Sequence, residues 1–180
     1  MKIIAISGSL RAASHNTAVL QAARRLAPTG VEIVLFEGIG QLPFFNSDLE
    51  GERLPEVAAR FRTVIGAADG LLISSPEYAR GVSGVLKNAL DWLVGSHEFP
   101  GKPVALINTS PRATHALESL SITLETMSAQ LVRDALITLP LLGTKSDAGS
   151  IAANPQFAGP LRAALERYAD AIRKLETSFT

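Results

Sequence analysis

The stretch KIIAISGSLRAASHNTAVLQAARRL, residues 2–26, decides the fold. It opens with an apolar run, continues through a polar turn that contains Gly8, and ends in a longer segment of helical character. A short apolar run that leads straight into a turn is typical of a buried strand. The stretch therefore predicts a strand over residues 2–7 and a helix over residues 16–26, joined by a polar loop.

The same order of short apolar run and longer helical segment repeats along the rest of the chain. Further strands are predicted over residues 31–36, 70–75, 103–108 and 136–139, and further helices over residues 55–67, 83–94, 116–131 and 156–175. Five such repeats indicate a parallel sheet with right-handed crossovers and helices on both faces. Five strands favour the flavodoxin-like order 2-1-3-4-5 over the six-stranded dinucleotide fold. We therefore predict a single α/β domain, a three-layer sandwich, over residues 1–180.

The composition excludes several classes of function. Apolar residues make up 47% of the chain and the formal net charge is zero, so no basic surface is expected to attract nucleic acid. The chain has no cysteine, which excludes disulfides, thiolate nucleophiles and cysteine-bound metals. No apolar run approaches the roughly 20 residues of a membrane span, and the N-terminal run is too short for a secretion signal. We therefore expect a cytoplasmic protein without membrane insertion.

The loop after the first strand is rich in hydrogen-bond donors and leads directly into a helix. The donors are the side chains of Ser9, Arg11, Ser14, Asn16 and Thr17. A helix N-terminus offers unpaired N–H groups and the positive end of the helix dipole, which suit a phosphate. The P-loop and GxGxxG patterns are absent, which favours a monophosphate over a nucleoside triphosphate or a dinucleotide. The alternative is that Ser14 or Asn16 caps the helix and the rest is an ordinary polar turn.

The loop after the third strand offers a surface for a planar ring. Pro76 stiffens the turn, Tyr78 supplies a flat aromatic face, and Gly81 and Gly84 keep side chains out of the same space. A heterocycle with carbonyl and imine acceptors suits this arrangement. The alternative is that Tyr78 and Trp92 are core aromatics. We adopt that interpretation for Trp92, which lies on the following helix, and assign Tyr78 to the surface or to a ligand.

Two motifs carry a family resemblance. They are Gly8-Ser9-Leu10-Arg11…Ser14…Asn16 and Pro76-Glu77-Tyr78…Gly84-Val85-Leu86-Lys87-Asn88-Ala89…Asp91-Trp92. Together they resemble the NADPH-dependent FMN reductase family, which includes bacterial quinone and chromate reductases, and the resemblance covers essentially the whole chain. It implies that the first loop binds the phosphate of FMN and that the later turn contacts the isoalloxazine ring. The implied phosphate contacts are Ser9, Arg11, Ser14, Asn16 and Thr17, and the implied ring contacts are Pro76, Glu77 and Tyr78.

Two positions depart from the pattern of that family. Ser83 stands where a proline is common, and the loop over residues 109–116 lacks the glycines that are usual there. Backbone groups from Ser110 to Arg112 are expected to contact the pyrimidine edge of the flavin. For the Arg112 side chain three interpretations stay open: a surface arginine, a contact to a phosphate of NADPH, or a contact to an acidic substrate.

The resemblance implies an enzyme whose chemistry belongs to its cofactor. Hydride from NADPH or NADH is expected to pass through FMN to a quinone or a similar small acceptor, such as chromate or an azo or nitro compound, in a ping-pong reaction. No catalytic side chain and no metal site are predicted, since His15, His97 and His115 are scattered and are interpreted as surface residues. The alternative is a non-enzymatic flavodoxin-type electron carrier or a flavin-based redox sensor. The family also implies a homodimer or homotetramer.

Overall fold

Strands and helices alternate along the chain in the predicted order. The structure is a computed structural model that describes residues 1–178. Its strands are β1 (Lys2–Ser7), β2 (Glu32–Leu35), β3 (Gly70–Ser74), β4 (Glu77–Tyr78), β5 (Gly81–Val82), β6 (Pro103–Asn108), β7 (Gln130–Leu131) and β8 (Ile137–Thr138). Its helices are α1 (His15–Arg25), α2 (Glu56–Gly66), α3 (Gly84–Val94), α4 (Thr114–Thr126), α5 (Ala148–Ala153) and α6 (Pro155–Ser178).

The parallel sheet has the predicted strand order. β1 lies between β2 and β3, and β6 follows β3. β7 pairs with the start of β6 and β8 with its end, so two short strands share the fifth position. A 3-10 turn over Arg133–Ala135 separates them. The prediction of a flavodoxin-like α/β sandwich with the order 2-1-3-4-5 is confirmed, with its fifth strand interrupted.

The side chains of β1 alternate between two cores, one on each face of the sheet. Ile3 and Ala5 pack with residues of α1 and α6, whereas Ile4 and Ile6 pack with residues of α2, α3 and α4. Both faces of the sheet are therefore covered, which explains the continuous apolar runs in the sequence. In a sheet of this kind the place for a ligand is outside the carboxyl ends of the strands.

The end of α4 differs from the prediction. The predicted helix over residues 116–131 stops early because Ser128 has a left-handed backbone with a φ of 66°. The N–H of Ala129 bonds to the carbonyl of Leu124 at 2.9 Å, and that of Ser128 to the carbonyl of Glu125 at 2.9 Å. This pair of bonds is a Schellman motif, which usually has glycine at the left-handed position. The chain then returns to the sheet as β7.

We expect Ser128→Gly to stabilise the fold by roughly 0.5–1 kcal/mol, because glycine adopts a positive φ without a steric penalty. The greater freedom of glycine in the unfolded chain limits the gain. Ser119→Gly is the matched control. Ser119 is exposed within α4, where glycine should instead destabilise by about 0.5 kcal/mol. Urea unfolding measures both changes, and a loss of stability in Ser128→Gly would contradict the prediction.

The remaining differences are small. α6 continues through Pro160 to Ser178, past its predicted end at residue 175. α5 has no counterpart among the predicted elements, and a reciprocal capping box between Asp147 and Ser150 begins it. No helix within residues 1–178 combines the length and apolarity needed to cross a membrane. The predicted single domain over residues 1–180 includes residues 179–180, which lie outside the described residues.

Candidate functional site

A cavity of about 320 Å³ lies where the loops after β1, β3 and β6 meet. It brings together the two motifs, which are far apart in the sequence. Of the ten residues predicted to contact a cofactor, those that line the cavity are Ser9, Arg11, Ser14, Asn16, Pro76, Glu77, Tyr78, Ser110 and Arg112. Thr17 is the exception.

Gly8 allows the first loop to lie directly against the loop after β3. Its N–H donates to the carbonyl of Ser74 at 2.8 Å. A Cβ at this position would lie 2.5 Å from Ser75 Oγ and 2.9 Å from Ser83 Oγ, which is closer than real Cβ atoms approach. Glycine is therefore required for this packing. Ser83, the position where the family commonly has proline, is buried beside it.

The N-terminus of α1 presents free donors. Ser14 is the N-cap, and its hydroxyl accepts from the N–H of Thr17 at 3.3 Å, so the capping interpretation is confirmed for Ser14. The backbone N–H groups of His15 and Asn16 have no partner within residues 1–178. Unpaired N–H groups at the positive end of a helix dipole suit an anion. Capping by Ser14 and anion binding beside it are therefore compatible.

Asn16 links α1 to the ends of β3 and β6. Its Oδ1 accepts from Ser74 Oγ at 2.9 Å and from Thr109 Oγ1 at 3.3 Å. The residue is only 6% exposed, and its side-chain hydrogen bonds to the described residues use Oδ1 and leave Nδ2 without a partner among them. Because the oxygen is held by the two hydroxyls, Nδ2 is the part of the amide that remains for a ligand in the cavity.

Thr17 does not line this cavity. Its hydroxyl lies 2.8 Å from Ser7 Oγ, and the residue lines a neighbouring cavity of about 450 Å³. The hydroxyl therefore braces the first loop. A phosphate contact from Thr17 stays a prediction.

Tyr78 lies on a short β-hairpin with a two-residue turn, which was not among the predicted elements. β4 and β5 pair antiparallel, and the residues between them, Ala79 and Arg80, have φ values of 49° and 62°. This is the geometry of a type I′ turn, which Asn-Gly signals in a sequence and Ala-Arg does not. A Cβ on Gly84 would meet no atom within 4 Å, so the space beside this glycine is open, and its role in leaving room for a ring stays a prediction.

The carboxylate of Glu77 anchors the hairpin to α4. Its Oε2 accepts from the N–H of Ala116 at 2.9 Å, in the first turn of that helix. A negative charge is favourable there because it faces the positive end of the helix dipole. The carboxylate is therefore committed to the helix. In a two-residue hairpin the residues that flank the turn, here Tyr78 and Gly81, form the backbone hydrogen bonds between the two strands. The N–H of Glu77 belongs to the next pair and takes no part in these bonds, so it is available to a ligand.

The two aromatic residues of this region differ in burial. Trp92 is fully buried, donates from Nε1 to the carbonyl of Pro43 at 2.8 Å and meets Phe45 edge-on. The packing interpretation is therefore confirmed for Trp92. Tyr78 is 54% exposed, and its ring stacks on no other ring in the part of the chain that the structure describes. Its face is open to a ligand.

The loop after β6 is held by side chains in place of glycines. Asn108 Nδ2 donates to the carbonyls of Ser110 at 2.7 Å and Ala113 at 3.3 Å. The N–H of Ser110 donates to Asn108 Oδ1 and that of Arg112 to Ser110 Oγ, both at 3.2 Å, while Pro111 has no N–H. The expected contacts from Ser110 to Arg112 to the flavin's edge therefore find no free backbone donor here. The side chain of Arg112 has no ion-pair partner among the described residues.

Two arginines and one carboxylate set the charge of the cavity. The guanidinium groups of Arg11 and Arg112 are exposed, and neither has an ion-pair partner among residues 1–178. The one lining carboxylate, that of Glu77, is bonded to α4. The cavity therefore carries an excess of positive charge, which favours an anionic ligand. The described residues contain no cluster of side chains suited to a metal ion.

Sequence reasoning missed several lining residues. Those not named as contacts are His15, Ser75, Asn108, Thr109, Ala113 and Leu142. Nε2 of His15 lies 3.0 Å from the carbonyl of Thr144 and so links α1 to the segment after β8. The position of His15 directly before the predicted helix was the available signal. Leu142 lies in a stretch without a pattern, and only the fold brings it here.

Fold and site together define a flavodoxin-like mononucleotide-binding protein. The free helix N-terminus follows β1, and the aromatic hairpin follows β3, the strand next to it. The chain belongs to the NADPH-dependent FMN reductase family, whose profile matches residues 1–140. The resemblance on which the sequence interpretation depends is thereby confirmed.

Proteins of known reaction class resemble this chain. An NAD(P)H-dependent FMN reductase of Pseudomonas aeruginosa is 45% identical over 112 residues, which are 61% of this chain and 60% of that protein. A 2-hydroxy-1,4-benzoquinone reductase of Burkholderia sp. is 45% identical over 113 residues, 61% of each chain. The structure of the flavoenzyme NAD(P)H:(acceptor) oxidoreductase FerB from Paracoccus denitrificans has a TM-score of 0.79 at 30% identity, covering 96% of this chain and 97% of that one. The matched segments span about 60% of the length of the two curated relatives.

Proposed function

We propose that the protein binds FMN in this cavity and uses NADPH or NADH to reduce quinones or similar small acceptors. The observation that carries the proposal is the set of free donors at the N-terminus of α1, in the same cavity as the Tyr78 hairpin. The relatives named FMN reductase, benzoquinone reductase and NAD(P)H:(acceptor) oxidoreductase support this class of reaction.

The donors at the α1 end of the cavity fit a phosphate monoester. A phosphate offers three acceptor oxygens and nearly two negative charges. The N–H groups of His15 and Asn16, Asn16 Nδ2 and the guanidinium of Arg11 offer donors to these oxygens. The charge of Arg11 and the positive end of the helix dipole offset much of the negative charge. Ser9 Oγ accepts from the N–H of Arg11 at 3.4 Å, which leaves its own proton for the same ligand. The ring of FMN then belongs beside Pro76 and Tyr78.

Bound FMN supplies the redox chemistry between the nicotinamide and the acceptor. The protein's own groups hold and orient the reactants. Glu77 fixes the hairpin against α4, and Asn108 fixes the loop that carries Arg112. The exposed face of Tyr78 offers a surface on which a nicotinamide or a quinone can stack. No side chain is assigned as a general acid or base.

We also propose that the protein is a cytoplasmic homodimer or homotetramer whose subunit is one domain over residues 1–180. Several large apolar side chains support an interface. Phe44 is 90% exposed, Leu10 65% and Val94 63%. Exposed apolar side chains of this size are favourable when a second subunit covers them.

Turnover kinetics test the proposed function. The FMN-loaded protein should oxidise NADPH or NADH with benzoquinone as the acceptor. Because a single open cavity receives nucleotide and acceptor in turn, double-reciprocal plots at several fixed acceptor concentrations should be parallel, the ping-pong pattern. Chromate, azo and nitro compounds can replace the quinone in a second series. Light scattering on the same preparation reports its assembly.

Free FMN at the same concentration is the control for this assay. If the protein binds FMN but oxidises neither nucleotide faster than free FMN does, the reductase proposal fails. The electron-carrier interpretation would then take its place. Intersecting lines would retain the reductase but show that nucleotide and acceptor bind together.

A further inference from the structure

We propose that Arg112 recognises a negative charge on a redox substrate of this cavity and is not a ligand of the FMN phosphate. The inference rests on the proposed function. The shared chemistry is an anionic group that meets a guanidinium fork, either a phosphate of the nucleotide or an acidic group of the acceptor.

The backbone at Arg112 is fixed while its side chain is free. Bonds from Asn108 Nδ2 to the carbonyls of Ser110 and Ala113 hold the turn, and the N–H of Ala113 closes it on Ser110 O at 3.1 Å. The N–H of Arg112 is bound by Ser110 Oγ. The guanidinium lines the cavity without an ion pair among the described residues. It is thus presented on a rigid turn and has no structural bond of its own.

The phosphate end of the cavity already has its own cation. Arg11 follows β1 and lies beside the free N–H groups of α1, whereas Arg112 follows β6. β3 lies between these strands, and a spacing of roughly 4.8 Å between neighbours separates β1 from β6 by about 10 Å. Arg11 and Arg112 therefore belong to loops on opposite sides of the loop that follows β3. A phosphate held at α1 therefore has the free N–H groups and Arg11 as its donors without a contribution from Arg112.

No carboxylate among residues 1–178 pairs with Arg112. Glu77 contributes the one carboxylate of the cavity lining, and Ala116 holds it at α4. α4 begins directly after Arg112 and Ala113, and the Glu77 carboxylate faces the positive end of its dipole. The N–H groups of Thr114 and His115 have no partner within residues 1–178. The guanidinium of Arg112 is therefore the group of this part of the cavity lining that a second anion can meet.

Calorimetric titration of the FMN-loaded protein tests the inference. Arg112→Gln removes the charge at similar length, and Arg112→Lys keeps the charge but loses the fork. Arg162→Gln is the matched control, because Arg162 is exposed on α6 and lines no part of the cavity. The probes are NADP⁺, NAD⁺, a sulfonated naphthoquinone and its uncharged parent. We expect Arg112→Gln to weaken at least one anionic probe about tenfold.

The pattern of losses identifies the source of the charge. A loss for NADP⁺ alone assigns the additional phosphate, an equal loss for both nucleotides assigns their pyrophosphate, and a loss for the sulfonated quinone alone assigns an acidic acceptor. In each case Arg112→Lys should bind the probe more tightly than Arg112→Gln does. Added salt should reduce the difference in affinity between the wild type and Arg112→Gln. The affinities for FMN and for the uncharged quinone should change less than about twofold in Arg112→Gln. In Arg162→Gln the affinity for every probe should stay within the same limit.

Two results would overturn the inference. The first is that Arg112→Gln binds every anionic probe with an affinity within about twofold of that of the wild type. The other is an FMN affinity that falls tenfold in this variant, which would place Arg112 on the FMN phosphate. These are binding measurements, so they stand apart from the turnover test. A wild-type protein that binds the probes through Arg112 but shows no turnover contradicts the proposed reaction and leaves the anion site in place.

Discussion

Asn16→Asp is expected to weaken FMN binding at least about a hundredfold. The change removes the free Nδ2 donor and places a carboxylate where the phosphate is proposed to bind. Losing a hydrogen bond to a charged group costs roughly 1.5–3 kcal/mol, and repulsion between the two anions adds to this cost. The fold should persist, because a carboxylate oxygen can still accept from Ser74 Oγ and Thr109 Oγ1. It also sits in the first turn of α1, where an acidic residue is favourable.

Calorimetry with the apo-protein measures the FMN affinity, and thermal unfolding of the same apo-protein measures the fold. Asn46→Asp is the matched control, because it introduces the same negative charge at an exposed position. Its FMN affinity should equal that of the wild type. A loss below about tenfold in a well-folded Asn16→Asp protein would place the phosphate away from α1.

Tyr168→Phe is expected to lower the free energy of unfolding by about 2 kcal/mol. The Tyr168 hydroxyl on α6 is buried against the sheet, 2.7 Å from the carbonyl of Leu71 and 2.9 Å from that of Pro103. Gly70 makes room for it, because a Cβ there would collide with the phenol oxygen. Phenylalanine keeps the packing but leaves the two carbonyls without this donor. Urea unfolding at neutral pH measures the loss.

The same phenol gives the fold an alkaline limit. Burial raises the pKa of Tyr168 far above the ordinary value of about 10. Because the folded pKa is the higher one, the contribution of the protonated phenol is complete below about pH 10. It is lost above that pH at about 1.4 kcal/mol per unit. Tyr168→Phe should lack this additional loss.

Tyr78→Phe is the matched control for both measurements, because the Tyr78 hydroxyl has no partner among residues 1–178 and the side chain is exposed. It should leave the stability at neutral pH and the alkaline loss unchanged. If wild type and Tyr168→Phe lose stability equally as the pH rises above 10, the alkaline limit belongs to other groups.

The sheet and its main helices were predictable because their signals are local. A buried strand such as β1 needs only a run of apolar residues, and α1 needs only a capping serine before a helical segment. The two loops whose polar side chains line the cavity were predictable for the same reason. In a parallel sheet both must lie at the carboxyl edge, whatever the details of packing.

Backbone conformations at positive φ escaped prediction. Ser128 ends α4, and Ala79 with Arg80 forms the hairpin turn, each at a φ that usually marks glycine or asparagine. The surrounding contacts impose these conformations. For the hairpin they include the bond from Glu77 to α4, which joins residues 39 positions apart. A local sequence pattern does not predict a contact between residues so far apart in the chain.

By itself the sequence determined the strand order, the position of the candidate site and the kinds of side chain that line its cavity. The tertiary structure decided which of their polar atoms remain free. Contacts 58 and 93 residues apart hold the Asn16 oxygen and release its nitrogen to the cavity. Bonds within the loop after β6 consume the N–H groups of Ser110 and Arg112 and leave the guanidinium unpaired. The physical reason is that a hydrogen-bonding group is available to a ligand only if no neighbour in the fold already satisfies it, and those neighbours are set by packing across the sheet.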